Sequence, residues 1–364
     1  MTVAQIATGL EQLAPLPFAE DFDNVGLLVG DPQMEVTGVL VTLDTLEDVL
    51  TEAREKGCNL VVSFHPILFQ GLKRITGATY VERVVARAIE QRIAIYSMHT
   101  ALDNVREGVS RKLCEVLGLE RPRTLIPRKG IIKKLVTYVP EGARRALLEK
   151  LFEAGAGELG NYSHCSFSTP GEGSFLPGQQ ASPAIGERGS LQLEPEQQLH
   201  LTFTAEREKA VLRALQEYHP YEEVAYEIST LENAYQHLGM GMVGELEAPM
   251  EEKAFLQHLR ERLHTPCIRH SRLTGKPVRR VAVLGGSGAF AIGAARAAGA
   301  DVLVTGDVKY HQFFQAEGQM VIADVGHYES EQFTKNLLVD YLTEKFPNFA
   351  IHLSETQTNP VNYF

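Results

Sequence analysis

Short unbroken apolar runs separated by amphipathic stretches organise both ends of this chain. Residues 37–43 and 59–64 are such runs, and the stretch between them, near 46–56, has the periodicity of a helix with one apolar face, so strand, helix, strand is predicted. The pattern continues with a helix near 80–91, a short strand at 92–97 and a helix near 104–117. This is the rhythm of parallel βαβ units. The last segment resumes it: a strand at 280–284, a glycine turn at Gly285, Gly286 and Gly288, a helix of small residues, a strand at 301–305, a helix at 310–316, a strand at 319–325 and a helix from about 328 to 346.

Residues 131–230 follow a different order: strand 131–139, helix 142–154, strands near 162–168 and 198–204, helix 205–218 and strand 221–228. That order predicts a ferredoxin-like β-α-β-β-α-β module. The Gly- and Pro-rich stretch 169–189 is expected to be its long exposed loop, and 233–244 a return linker. The fold class expected is therefore α/β: one layered domain of βαβ units, built from residues 1–128 and 237–364 and interrupted by an inserted α+β domain at 129–236.

Length agrees with that division, since 364 residues exceed the roughly 250 at which single cores stop growing. A net charge of −11 argues against a general binder of nucleic acid, which needs clustered Lys and Arg to displace counterions. The four cysteines, Cys58, Cys114, Cys165 and Cys267, form no C-x-x-C pair and suggest neither a disulfide framework nor a thiolate zinc site. The N-terminal stretch has no basic start and long apolar core, and no run of about 18 apolar residues occurs, so a cytoplasmic protein without membrane spans is expected.

In an open parallel sheet, ligands bind where loops leave the carboxyl ends of strands. Polar residues of this chain collect there: His65 after NLVVSF, Asp103 just past IAIYSMH, Asp307 after VLVTG, and His327 after MVIADVG with Glu331 four residues on. Imidazole and carboxylate groups converging from different strands are the usual way to enclose zinc, iron, manganese or nickel. His327 and Glu331 form the strongest pair, because an i, i+4 spacing puts both on one helix face. Plainer roles compete at each position. His65 precedes a proline and could be an ordinary turn residue. Asp103 could cap a helix beginning near Asn104, and Glu331 could simply favour a helix N-terminus. His99 is a candidate contact behind the ligands or to substrate. Asp307, with His311 four residues on, is a candidate acid or base. The LGGSGAF turn could offer N–H groups to a phosphate, yet it lacks the Lys-Ser/Thr of a P-loop, and a tight turn explains it equally well.

Taken in order, FDNVGLLVG, SFHPILF, HTALDNV, VLGGSG, TGDVKYH, DVGHYESE and the C-terminal SETQTNP resemble one family, the Nif-three-like dinuclear metal-binding proteins known as GTP cyclohydrolase 1 type 2 homologs. The middle segment, with VTYVPEGARRALLEKLFEAGAGELGNYSHC and HPYEEVAYE, is similar to the CutA- or PII-like insertion of longer members. The resemblance implies a toroidal homohexamer and places metal ligands at His65, Asp103, His327 and Glu331, with Asp307 and His99 as candidate catalytic residues. It also exposes a departure. The family's H-H-P motif reads Phe64-His65-Pro66 here, so one imidazole is lost and one or two divalent ions per chain are expected. The activity implied is metal-assisted hydrolysis of a nucleotide-like small molecule. The alternative is a non-catalytic, metal- or metabolite-binding hexameric assembly or regulatory protein.

Overall fold

Every residue of strands Val39–Thr42, Leu60–Ser63 and Ala94–Ser97 is buried. That is how a parallel strand covered on both faces must read, because alternate side chains enter different cores. Val39, Val41, Leu60, Val62 and Tyr96 face one cluster, whereas Leu40, Val61 and Ile95 face another. The computed structural model describes all 364 residues and divides them into two compact units, Met1–Pro127 with Gln236–Phe364, and Arg128–Tyr235.

In the first unit these strands belong to a five-stranded sheet ordered Gly26–Val29, Ala94–Ser97, Leu60–Ser63, Val39–Thr42, Ile351–Leu353. All neighbours are parallel except the first pair. A second, six-stranded sheet runs Arg269–His270, Val321–Asp324, Val302–Gly306, Val278–Ser287, Tyr235–Met250, Glu120–Arg128. Its three central strands are parallel. The two ends of the chain are exchanged between the sheets. Helix Val109–Leu117 gives Leu113, Cys114 and Leu117 to the core of the second sheet, while helix Thr334–Lys345 gives Leu338 and Leu342 to the core of the first. This exchange makes one body of the two outer segments.

Register then decides what meets at the carboxyl edge. Thr42, Ser63 and Ser97 lie side by side in the first sheet, so the residues two places further on, Asp44, His65 and His99, emerge as neighbours. In the second sheet Thr305 lies beside Asp324, which brings Asp307 next to Gly326 and His327.

The second unit has a four-stranded sheet ordered Phe167–Phe175, Gln192–Thr204, Ile132–Pro140, Tyr226–Thr230, antiparallel throughout. Helices Arg144–Glu153 and Glu208–Tyr218 cover it, with Leu147, Leu151, Val211 and Leu215 buried against Leu135, Leu199 and Phe203. With its two central strands first and third in sequence, this is a ferredoxin-like arrangement.

Several elements differ from the expectations. The stretch 169–189 is not all loop, because Phe167–Phe175 pairs residue for residue with Gln192–Thr204. Pro170 is tolerated there because the strand lies at the sheet edge. His164 and Cys165 precede that strand, and the last strand starts at Tyr226 instead of Tyr221. The helix expected over 104–117 is two helices, His99–Asn104 and Val109–Leu117. Between them Val105 is extended, and at Gly108 the backbone runs so close to Leu102 that a Cβ would stand 1.8 Å from its carbonyl oxygen. Residues 310–316 form a 3-10 helix, and the final helix is split into His327–Glu331 and Thr334–Lys345. No helix is long and apolar enough to cross a membrane.

Candidate metal centre

His65 is fixed by its backbone before its side chain is considered. Its N–H donates to the Leu43 carbonyl at 2.9 Å, and its own carbonyl accepts from Ser63 Oγ at 2.8 Å. His327 opens a short helix after Gly326, whose φ of +98° only glycine adopts freely. The neighbouring strand Val302–Gly306 lies so near that a Cβ at Gly306 would stand 2.9 Å from the His327 backbone. One helical turn further on, Glu331 points back into the same space and is buried.

These side chains converge. The Nε2 atoms of His65 and His327 are 3.4 Å apart, and Glu331 Oε2 lies 3.2 Å from the first and 3.1 Å from the second. The three ligand atoms fall within 4.8 Å of one another. Each imidazole is oriented from behind: His65 Nδ1 by Asp44 Oδ1 at 2.8 Å, and His327 Nδ1 by Asp307 Oδ2 at 2.7 Å. A carboxylate on Nδ1 fixes the tautomer that leaves Nε2 free to ligate. Although Glu331 Oε2 is close to both rings, the contacts are not aligned as hydrogen bonds, and this buried oxygen has no hydrogen-bond partner. Two nitrogens and an unsatisfied anionic oxygen facing a common point suit a divalent cation of the zinc, iron, manganese or nickel type.

The electrostatics show the same strain for cationic charge. Burial would lower the pKa of His65, but Asp44 and Glu331 raise it to about 10. Burial acts likewise on His327, and Glu331 with Asp307 raises it to about 9. Burial would push Glu331 up, yet the two imidazoles bring it down to about 2. Asp103 behaves oppositely: burial first, then the charge of Glu331, moves its carboxyl well above the usual range.

The structure thus gathers His65, His327 and Glu331 and leaves Asp103 beside them, outside the compact trio. Asp103 does not cap a helix start either, since it lies near the end of helix His99–Asn104. Asp307 pairs with His327 and Ser287, and His311 is exposed on the following 3-10 helix and takes no part. His99 forms a third dyad of the same kind, its Nδ1 2.8 Å from Asp23 Oδ1, with its ring 5.3 Å from that of His65. The glycine turn holds no free phosphate cradle. The strand runs through to Ser287, and the Gly286 N–H donates to Ser330 Oγ at 2.9 Å.

Asp23 and Asp44 were not foreseen as site residues. Asp44 was detectable in principle as the first acidic residue past a strand, and Asp23 lies within the FDNVG motif. A cavity of about 540 Å³ opens beside the trio. Its lining includes Asp44, Arg269, Tyr328, Glu329, Asn359 and Tyr363. The Arg269 guanidinium is held by Asp324 and lies over the Phe313 ring.

The chain as a whole is similar to known proteins. A GTP cyclohydrolase 1 type 2 homolog of Bacillus subtilis is 38% identical over 99% of this chain and 98% of its own length. One from Staphylococcus epidermidis is 32% identical over the whole of both chains. Among solved structures, a Bacillus cereus protein related to NIF3 superposes with a TM-score of 0.86 at 34% identity, covering 100% of this chain and 99% of that one. The Staphylococcus aureus protein SA1388 gives 0.81 at 28% identity, with the same coverage. The sequence profile of Duf34/NIF3 (NGG1p interacting factor 3) matches residues 1–360, and the chain belongs to that family.

Proposed function

We propose that this protein is a metal-dependent hydrolase that acts on a nucleotide-like small molecule. The observation that carries the reading is the convergence of His65, His327 and the unpartnered Glu331 carboxylate beside a cavity large enough for such a ligand. His65, His327 and Glu331 would hold a divalent ion there, which would supply Lewis-acid chemistry. The remaining work falls to the protein. Asp44 and Asp307 keep each imidazole's Nε2 directed inward, and Tyr328 and Tyr363 line the cavity beside them. His99, with its Nδ1 held by Asp23, is placed to move a proton near His65. By the same family likeness we take the working assembly to be a homohexamer, which a solution mass would check.

The relatives' names make GTP the first substrate to try. Metal-loaded protein should release product steadily, and His327→Ala should abolish that release while keeping the solution mass. If metal-loaded protein turns over neither GTP, esters nor phosphodiesters, the hydrolase reading is wrong and a binding or assembly role replaces it.

A further inference from the structure

The C-terminal segment from Ser354 onward has no regular secondary structure, yet hydrogen bonds tie it to the first unit. Glu52, on helix Glu47–Glu55, accepts four hydrogen bonds from it: Ser354 Oγ at 2.6 Å, Glu355 N at 2.8 Å, Thr356 N at 3.1 Å and Thr356 Oγ1 at 2.6 Å. Lys335 Nζ donates to the Ser354 carbonyl at 3.3 Å. These contacts anchor the segment on helices Glu47–Glu55 and Thr334–Lys345, neither of which carries a candidate ligand.

The next contacts have a different destination. Thr358, only 5% exposed, donates from Oγ1 to Asp44 Oδ2 at 2.7 Å. The other oxygen of that carboxylate, Oδ1, accepts a hydrogen bond from His65 Nδ1 at 2.8 Å. With both oxygens engaged, the plane of the Asp44 carboxylate is set, and with it the direction in which His65 presents Nε2 to Glu331, 3.2 Å away. Asn359 then donates to Glu329 Oε1 at 3.1 Å, on the helix that carries Glu331.

We infer that the C-terminal segment is the outer support of the metal centre, with Thr358 a positioning residue that orients His65 through Asp44. The inference rests on the reading of His65, His327 and Glu331 as a metal site. Groups behind the ligands that fix an imidazole typically change metal affinity ten- to a hundredfold when removed.

The test compares zinc affinity of the full-length wild type, Thr358→Val, Thr358→Ser and Thr356→Val by competition with a chromogenic chelator, beside the melting temperature of each metal-free protein. Valine keeps the shape and removes the donor, whereas serine restores it. Expected is a loss of about tenfold or more in Thr358→Val, recovery to within about threefold in Thr358→Ser, and near wild-type affinity in Thr356→Val, with Thr358→Val melting no lower than Thr356→Val. Wild-type affinity in Thr358→Val overturns the inference while leaving the metal site standing. So does an equal loss in all three variants that tracks their melting temperatures. A wild type that takes up no zinc overturns both.

Discussion

The carboxylate of Glu331 occupies the space that a side chain at position 286 would need: a Cβ on Gly286 would stand 2.3 Å from Glu331 Oε1. Gly286 also has a φ of +65°, which costs an alanine about 1 kcal/mol. Gly286→Ala should therefore displace Glu331 from the two imidazoles. Elemental analysis is expected to find metal content well below that of the wild type in a protein that still folds, with stability lowered by about 1 to 2 kcal/mol. Full occupancy in the variant would mean that Glu331 is not a ligand.

Phe64 stands where the resemblance drawn from the sequence implies another histidine. Its ring is fully buried, with centroids 4.9 Å from His65 and 5.5 Å from His99. An aromatic hydrocarbon there cannot ligate, and His99 is left without a nearby imidazole from that position. The wild type is expected to hold about one ion per chain. Phe64→His should raise this toward two, at a cost in metal-free stability of about 1 to 3 kcal/mol for burying a polar ring. Two ions in the wild type would show that Asp103 and His99 complete a second position unaided.

The metal must compete with protons. Beside Asp44, Glu331 and Asp307 the imidazoles of His65 and His327 are held above their ordinary pKa, to about 10 and about 9, so protons oppose the metal near neutral pH. Binding near pH 7 should therefore release protons, and affinity should rise with pH. Calorimetry in buffers of different ionisation enthalpy reads the proton count directly, and a count near zero would contradict the arrangement. The stability linkage has a definite sign. Folded pKa values raised above the ordinary 6.5 contribute stability that is complete below 6.5 and is lost as pH rises through 9 to 10, so the metal-free protein should soften in that alkaline window.

Much of the site could be read from the sequence because strand ends in parallel sheets are aligned by register. The unbroken apolar runs located the strands, and His65 and His327 followed directly from where they stop. The supporting carboxylates were harder to find. Asp23 is 76 residues from His99, and Asp44 is 21 from His65; only the folded topology makes them neighbours. Helix breaks were missed for a related reason. The 104–117 stretch has a good helical pattern, but the close approach of Gly108 to Leu102 is a tertiary fact that overrides local propensity. Strand Phe167–Phe175 was hidden by its Pro and Gly content, which an edge position accommodates.

Glu52 gives the C-terminal segment an acid-sensitive hold. Burial would raise its pKa, but the hydroxyls of Ser354 and Thr356, the Glu355 N–H and Lys56 together lower it to about 2 from an ordinary 4.5. A depressed carboxylate contributes stability that is present above 4.5 and disappears as pH falls toward 2. Glu52→Gln keeps the size but loses the charge that four donors face, so at pH 7 it should unfold more easily by about 1 to 3 kcal/mol. As pH is lowered through 4 to 2 the wild type gives up the same contribution, and the two denaturation curves should approach each other. Curves that stay parallel across that range would show that the hydrogen bonds hold the segment equally well without the carboxylate's charge.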